Sequence, residues 1–136
     1  MIRKLRMLAL GIVFGWVFLS CSACSGSKPG SAQTASQLAA AGKTVFQQNC
    51  AKCHGDNGQK VNGSALMGGD NVLANYQTGL MLYDYISQKM PDDNPGGLSP
   101  TQYLQVESYL LLQNGYVKPD IPVSQNNLGQ IAIEKH

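Results

Sequence analysis

The chain has 136 residues, 43% of them hydrophobic and 13% charged, with four cysteines and two histidines. That length allows one domain with a small core. The formal charge of +2 rests on Arg3, Lys4 and Arg6, and without the first 20 residues 7 basic side chains stand against 8 acidic ones, a balance of −1 with no basic patch suited to nucleic acid.

Residues 1–6 form a basic n-region, and the thirteen residues from Met7 to Leu19 are almost continuously apolar. Thirteen is the length of an export-signal core and short for a membrane span. Residues 1–20 therefore read as a signal peptide. Phe18-Leu19-Ser20-Cys21 resembles a lipoprotein cleavage box, with Phe where Leu is usual, and would make Cys21 the acylated N-terminus. Soluble export, with cleavage after Ala23, is the second expectation and an uncleaved N-terminal anchor the third. Cys21 and Cys24 also spell C-x-x-C, but Ser25 follows, so no imidazole stands behind them and a disulfide is their alternative fate. Small polar residues dominate Ser25 to Ser36, which makes 21–35 a flexible linker.

Thr34 with Gln37 predicts a capping box, and Leu38, Gly42, Val45 or Phe46, then Asn49 recur at helical spacing. This amphipathic helix runs into Cys50-Ala51-Lys52-Cys53-His54. On a helix, positions i, i+3 and i+4 share a face, so both thiols and the imidazole point at one target. C-x-x-C-H is the pattern of c-type haem attachment. Cys50 and Cys53 would form thioethers to the porphyrin edge, and His54 would bind the iron. A thioredoxin-like pair would need flanking strands, and none are predicted. A zinc site would need more ligands than Cys21, Cys24 and His136 offer from a leader and a chain end. Two merely buried cysteines would leave His54 unexplained.

Gly42 costs a helix about 1 kcal/mol relative to Ala, so a second element is expected to pack closely there. After His54, glycines at 55, 58, 63, 68 and 69 predict a tightly folding loop. The second ring nitrogen of His54 needs an acceptor, and a carbonyl near Ser64 or Ala65 is the candidate. Leu66 and Met67 would pack on the ring.

Thr78 caps a third segment, where Leu82, Tyr83, Ile86 and Met90 recur at helical spacing until Pro91. The residue before proline is pushed out of the α region, so Met90 should leave the helix on an extended backbone. Pro91, Pro95 and Pro100 stiffen the loop that carries it. Met67 lies in a Gly-rich loop and Met81 inside a helix, where packing is the usual use of methionine. Met90 is thus the candidate sixth ligand; the alternative is that it only packs beneath the haem. Lys52, Lys60 and Lys89 are candidates for the haem rim, or simply solvated lysines.

Ser99, Pro100 and Gln102 make a strong helix start and Gly115 a natural stop. Tyr103, Leu104, Val106, Tyr109, Leu110 and Leu111 leave a narrow wet stripe along Thr101, Gln105 and Ser108. Tyr109 is expected against the Gly42 gap. Residues 116–136 read as a surface-wrapping tail with Leu128, Ile131 and Ile133 as anchors and His136 frayed.

These residues resemble the class I c-type cytochromes, and among them small bacterial mono-haem domains associated with periplasmic dehydrogenases. The resemblance spans about residues 36–115. It rests on Ala41-Gly42-Lys43-Thr44-Val45-Phe46 leading into Cys50-Ala51-Lys52-Cys53-His54-Gly55, on Met90-Pro91 with Pro95-Gly96-Gly97-Leu98-Ser99, and on Val106 to Leu111. It implies an all-α cytochrome c fold of three to four main helices around one covalently attached haem c. It also implies His54 and Met90 as axial ligands and terminal helices crossing near Gly42 and Tyr109. Many relatives carry proline around Ser64 or Ala65; this chain does not.

Filled axial positions would leave no open iron site, which points to outer-sphere electron transfer and to an electron carrier rather than an enzyme. Redox proteins are the expected partners, a dehydrogenase or oxidase among them, and the periplasm the expected compartment, with a lipid anchor at Cys21. Two other readings stand beside it: a dedicated haem subunit of such an enzyme, and a haem enzyme or gas sensor in which Met90 does not hold the iron. No distal His or Arg is placed to assist peroxide cleavage.

Overall fold

Thr34 starts the first helix by closing a capping box: its Oγ1 accepts the Gln37 N–H at 3.4 Å while Gln37 Oε1 accepts the Thr34 N–H at 3.0 Å. The helix, α1, spans Ala35–Asn49. Its first amides are also served from far along the chain, Ala35 N–H by the Ile121 carbonyl at 2.8 Å and Ser36 N–H by Pro119 at 3.0 Å. These donors have no partner inside the helix, so the tail supplies what the helix cannot.

A computed structural model describes residues 32–134. The leader, the Cys21 and Cys24 pair and His136 lie outside the described residues. After α1 come a single turn, α2 (Ala51–His54), a 3-10 turn (Leu73–Tyr76), α3 (Gly79–Lys89), α4 (Pro100–Gln113) and a second 3-10 turn (Leu128–Gln130). Among the described residues there is no strand, only two isolated bridges, Thr34 to Pro122 and Thr78 to Ala132. No helix among them is long and apolar enough to cross a membrane. The fold is all-α, as expected.

Ser99 caps α4 as Thr34 caps α1: Ser99 Oγ accepts the Gln102 N–H at 3.3 Å and Gln102 Oε1 accepts the Ser99 N–H at 2.9 Å. Pro100 occupies the first turn, where no amide is missed. The helix ends at Gln113, and Gly115 takes φ 75°, a turn that favours glycine. Thr78 caps α3 through the Met81 N–H at 3.3 Å.

Helices α1 and α4 cross at Gly42. A Cβ there would run into the Gln105 carbonyl and stand 3.0 Å from Tyr109 Cβ. The gap is therefore closed mainly by α4 backbone, while the Tyr109 ring turns to Phe46, centroids 5.5 Å apart and tilted by 53°. Leu38, Phe46, Leu82, Leu111 and Leu128 fill the core around this crossing.

Two features depart from the sequence expectations, at Ser108 and Met81, and a third observation falls on Glu107, for which the sequence gives no expectation. Ser108, expected on the wet stripe, is buried, its hydroxyl donating to the Leu104 carbonyl at 2.7 Å. Met81, expected to pack, is 48% exposed beside exposed Leu80. Glu107 is fully buried, and neither carboxyl oxygen has a hydrogen-bond partner. Tail and α3 close that flank of α4: a Cβ on Gly79 would lie 3.3 Å from both Glu107 Oε1 and Leu128 Cδ2. Within the tail Val117, Val123, Leu128, Ile131 and Ile133 are all buried.

Candidate haem site

The C-x-x-C-H stretch forms one helical turn. The Cys50 carbonyl accepts the Cys53 N–H at 3.1 Å and the His54 N–H at 2.9 Å, so the three side chains share a face. All three line a partly open cleft of about 380 Å³, walled mostly by apolar side chains, among them Phe46, Leu66, Leu82, Val106 and Leu110. Both thiols are free. Burial, with Cys53 alongside, pushes the Cys50 thiol up to about 11. A redox-active dithiol needs the opposite shift, toward thiolate. Among the described residues no group of three or more His, Cys, Asp or Glu could hold a metal ion, so a zinc site finds no further ligands there.

The loop after α2 folds back on the imidazole. The Cys53 carbonyl lies within hydrogen-bond distance of the amides of Val61, Asn62 and Gly63, at 3.2, 2.9 and 2.8 Å. His54 Nδ1 donates to the Ser64 carbonyl at 2.7 Å, the acceptor anticipated near Ser64 or Ala65, although proline is absent there. With Nδ1 engaged as donor, Nε2 keeps its lone pair for a metal. Gly63 makes this approach sterically open: a Cβ there would lie 2.8 Å from His54 Cε1.

Met90 is distant in sequence but lines the same cleft. Its N–H closes α3 on Ile86 at 3.0 Å, and its backbone then turns extended, φ −122° and ψ 153°, as the following proline requires. The Met90–Pro91 peptide is cis. The Met90 carbonyl accepts the Tyr103 hydroxyl at 2.6 Å. Of the three lysines considered for the rim, Lys52 lines the cleft and pairs with Asp93 at 3.0 Å, whereas Lys60 and Lys89 do not line it. Leu66 lines it; Met67, expected on the ring, packs under Gly58 instead, where a Cβ would meet its Cγ at 2.7 Å.

Sequence reasoning missed the wall formed by the 3-10 turn and the residue before it. Val72, Leu73 and Tyr76 come from there, and Tyr76 meets Tyr85 of α3 with ring centroids 5.1 Å apart. Burial, with Tyr85 adjacent, pushes the Tyr76 hydroxyl up to about 12. A short turn of this kind has no periodicity to read, though the aromatic spacing Tyr76, Tyr83, Tyr85 was visible.

Two thiols, an imidazole with a free Nε2 and a thioether thus converge on one apolar cleft, a donor set that fits haem c and its iron. The family described as cytochrome c oxidase, cbb3-type, subunit III matches residues 37–110. Among solved structures, the sulfane dehydrogenase SoxCD from Paracoccus pantotrophus is similar at 30% identity over 70% of this chain, with TM-score 0.56. The aligned part is 52% of that chain, so the chain spans about half the length of this relative. Cytochrome CL from the marine methylotrophic bacterium Methylophaga aminisulfidivorans aligns at 18% identity over 66% of this chain and 74% of its own, with TM-score 0.43. A search of curated proteins finds no match. Because the match over residues 37–110 takes in more than half of the chain, the chain belongs to the cytochrome c oxidase, cbb3-type, subunit III family and so to the class I c-type cytochromes, with covalently bound haem c as cofactor.

Proposed function

We propose that this protein is a mono-haem electron carrier whose haem c is held by Cys50, Cys53, His54 and Met90. The observation that carries the reading is the convergence of these four side chains, from α2 with its N-cap and from the end of α3, on one apolar cleft. Haem c supplies the one-electron couple. Cys50 and Cys53 hold it as thioethers, and His54, oriented through the Ser64 carbonyl, gives Nε2 to the iron. Met90 gives its sulfur from a backbone fixed at the helix exit, and a thioether ligand raises the reduction potential. Held by both His54 and Met90, the iron would offer no position to a substrate, and the mostly apolar lining of the cleft would keep much of the haem from water.

Residues 36–115 carry the haem domain, residues 1–20 the export signal and 21–35 a tether, with the protein in the periplasm and lipidated at Cys21. Its partners are redox proteins meeting the open side of the cleft. A second reading, a dedicated haem subunit of a dehydrogenase, is favoured by the 30% identity to SoxCD. Stable copurification with such an enzyme would separate it from the free carrier.

Visible spectra of the haem-loaded protein test the ligation. A low-spin c-type spectrum with the weak ferric sulfur band, unmoved by carbon monoxide and lost in Met90→Ala, is expected. A high-spin spectrum that shifts with carbon monoxide would overturn the carrier in favour of an open-iron enzyme or sensor.

A further inference from the structure

Both ends of the loop that carries Met90 meet on one atom. The Tyr103 hydroxyl donates to the Met90 carbonyl at 2.6 Å and accepts the Leu98 N–H at 3.4 Å. Tyr103 is 4% exposed, belongs to α4 and lines the cleft. Inside the loop, Asn94 N–H bonds the Pro91 carbonyl and Gly97 N–H the Asn94 carbonyl, turns that shape it without fastening it to the body. A further tie, Lys52 to Asp93, has side chains 78% and 65% exposed, and a pair so wet contributes little. The phenol is therefore the shielded polar tie of loop 90–98 to the helical core, beside the packing of the Met90 and Leu98 side chains.

A fastening matters here for a chemical reason. A thioether is a neutral, weak ligand, so its occupancy of the iron depends on how firmly its backbone is held. We propose that Tyr103 is a positioning residue that latches the Met90 loop, so that its hydroxyl sets how readily the Met90 sulfur leaves the iron. This rests on Met90 as the axial ligand. The latch ties α4, which crosses α1 at Gly42 just ahead of the haem-bearing turn, to the loop that carries Met90. Losing it leaves a carbonyl and an amide to find new partners, and the open form of the loop gains weight.

The test uses haem-loaded, full-length protein in the ferric state, titrated with imidazole, which takes the sixth position only when the methionine leaves. Tyr103→Phe should bind imidazole about tenfold more tightly than the parent, the weight of one shielded hydrogen bond in an equilibrium. It should also lose part of the sulfur band at moderate imidazole. Tyr109→Phe, which removes a hydroxyl from the same helix without touching the loop, should behave as the parent, and Met90→Ala should bind tightest. If Tyr103→Phe matches the parent while Met90→Ala binds tightly, the latch is wrong and the ligation stands. Equal gains in Tyr103→Phe and Tyr109→Phe would mean general loosening and likewise refute the latch. If Met90→Ala binds imidazole like the parent, Met90 is not on the iron and the ligation fails first.

Discussion

Glu107 holds a carboxyl group in a place that offers it nothing. Burial, with Asp84 of α3 adding its charge, holds its pKa well above the usual carboxylate range. The unfolded chain gives up this proton near pH 4.3, about the ordinary glutamate value, while the folded chain keeps it. A raised folded-state pKa means that folding is favoured less and less as pH climbs from that value through the folded one. Glu107→Gln keeps the shape and removes the titration. Its urea stability should therefore depend less on pH than the parent's between pH 5 and 8, and the difference in its favour should widen toward pH 8 by up to about 1.4 kcal/mol per pH unit for as long as the folded parent keeps the proton. Parallel pH curves for the two proteins would show that this carboxyl does not carry the penalty. The sequence could not announce this residue, because burial of Glu107 is imposed by Gly79 and Leu128 from two other segments.

At the scale of elements, the legible features are the local ones. Thr34 with Gln37 and Ser99 with Gln102 spell their capping boxes within four residues, and both helices start there. Met90 before Pro91 reads as a helix exit for the same reason. The wet stripe failed at Ser108 and the packing role failed at Met81, because helical periodicity tells which residues share a face but not which faces the rest of the chain covers. The α1–α4 crossing lies between these cases: Gly42 signals a close approach, yet only the structure shows that Gln105 backbone makes it. That identity sets the outcome of Gly42→Ala. Alanine adds about 1 kcal/mol of helix propensity. Its methyl group, however, meets a carbonyl that cannot rotate aside, and overpacking costs about 1–3 kcal/mol or more. A clash with rigid backbone lies at the upper end of that cost, so thermal unfolding should show a net loss of about 2 kcal/mol or more, the overpacking cost less the gain in propensity. A gain in stability would mean that the helices do not cross at this glycine.

For the molecule as a whole, the question is whether residues 36–115 can fold without the tail, residues 116–136. The motif-bearing stretch alone carries the donors proposed for the haem, and the family match ends at residue 110. Yet the tail answers the free amides of Ala35 and Ser36 at the start of α1, gives the Ile131 carbonyl to the Gly79 N–H at 2.9 Å at the start of α3, and takes the Gln77 carbonyl through the Ile133 N–H at 2.8 Å. It also buries five aliphatic side chains, Leu128 completely. Each such side chain is worth about 1.5–3 kcal/mol on burial. Together they approach the roughly 5–15 kcal/mol by which a whole domain is stable. A chain ending at Gly115 should therefore lose cooperative thermal unfolding and the Soret circular dichroism of a packed haem, even with haem attached at Cys50 and Cys53. If it instead melts cooperatively within a few degrees of the full chain, the tail only decorates the core. The segment 36–115 would then be the folding unit by itself.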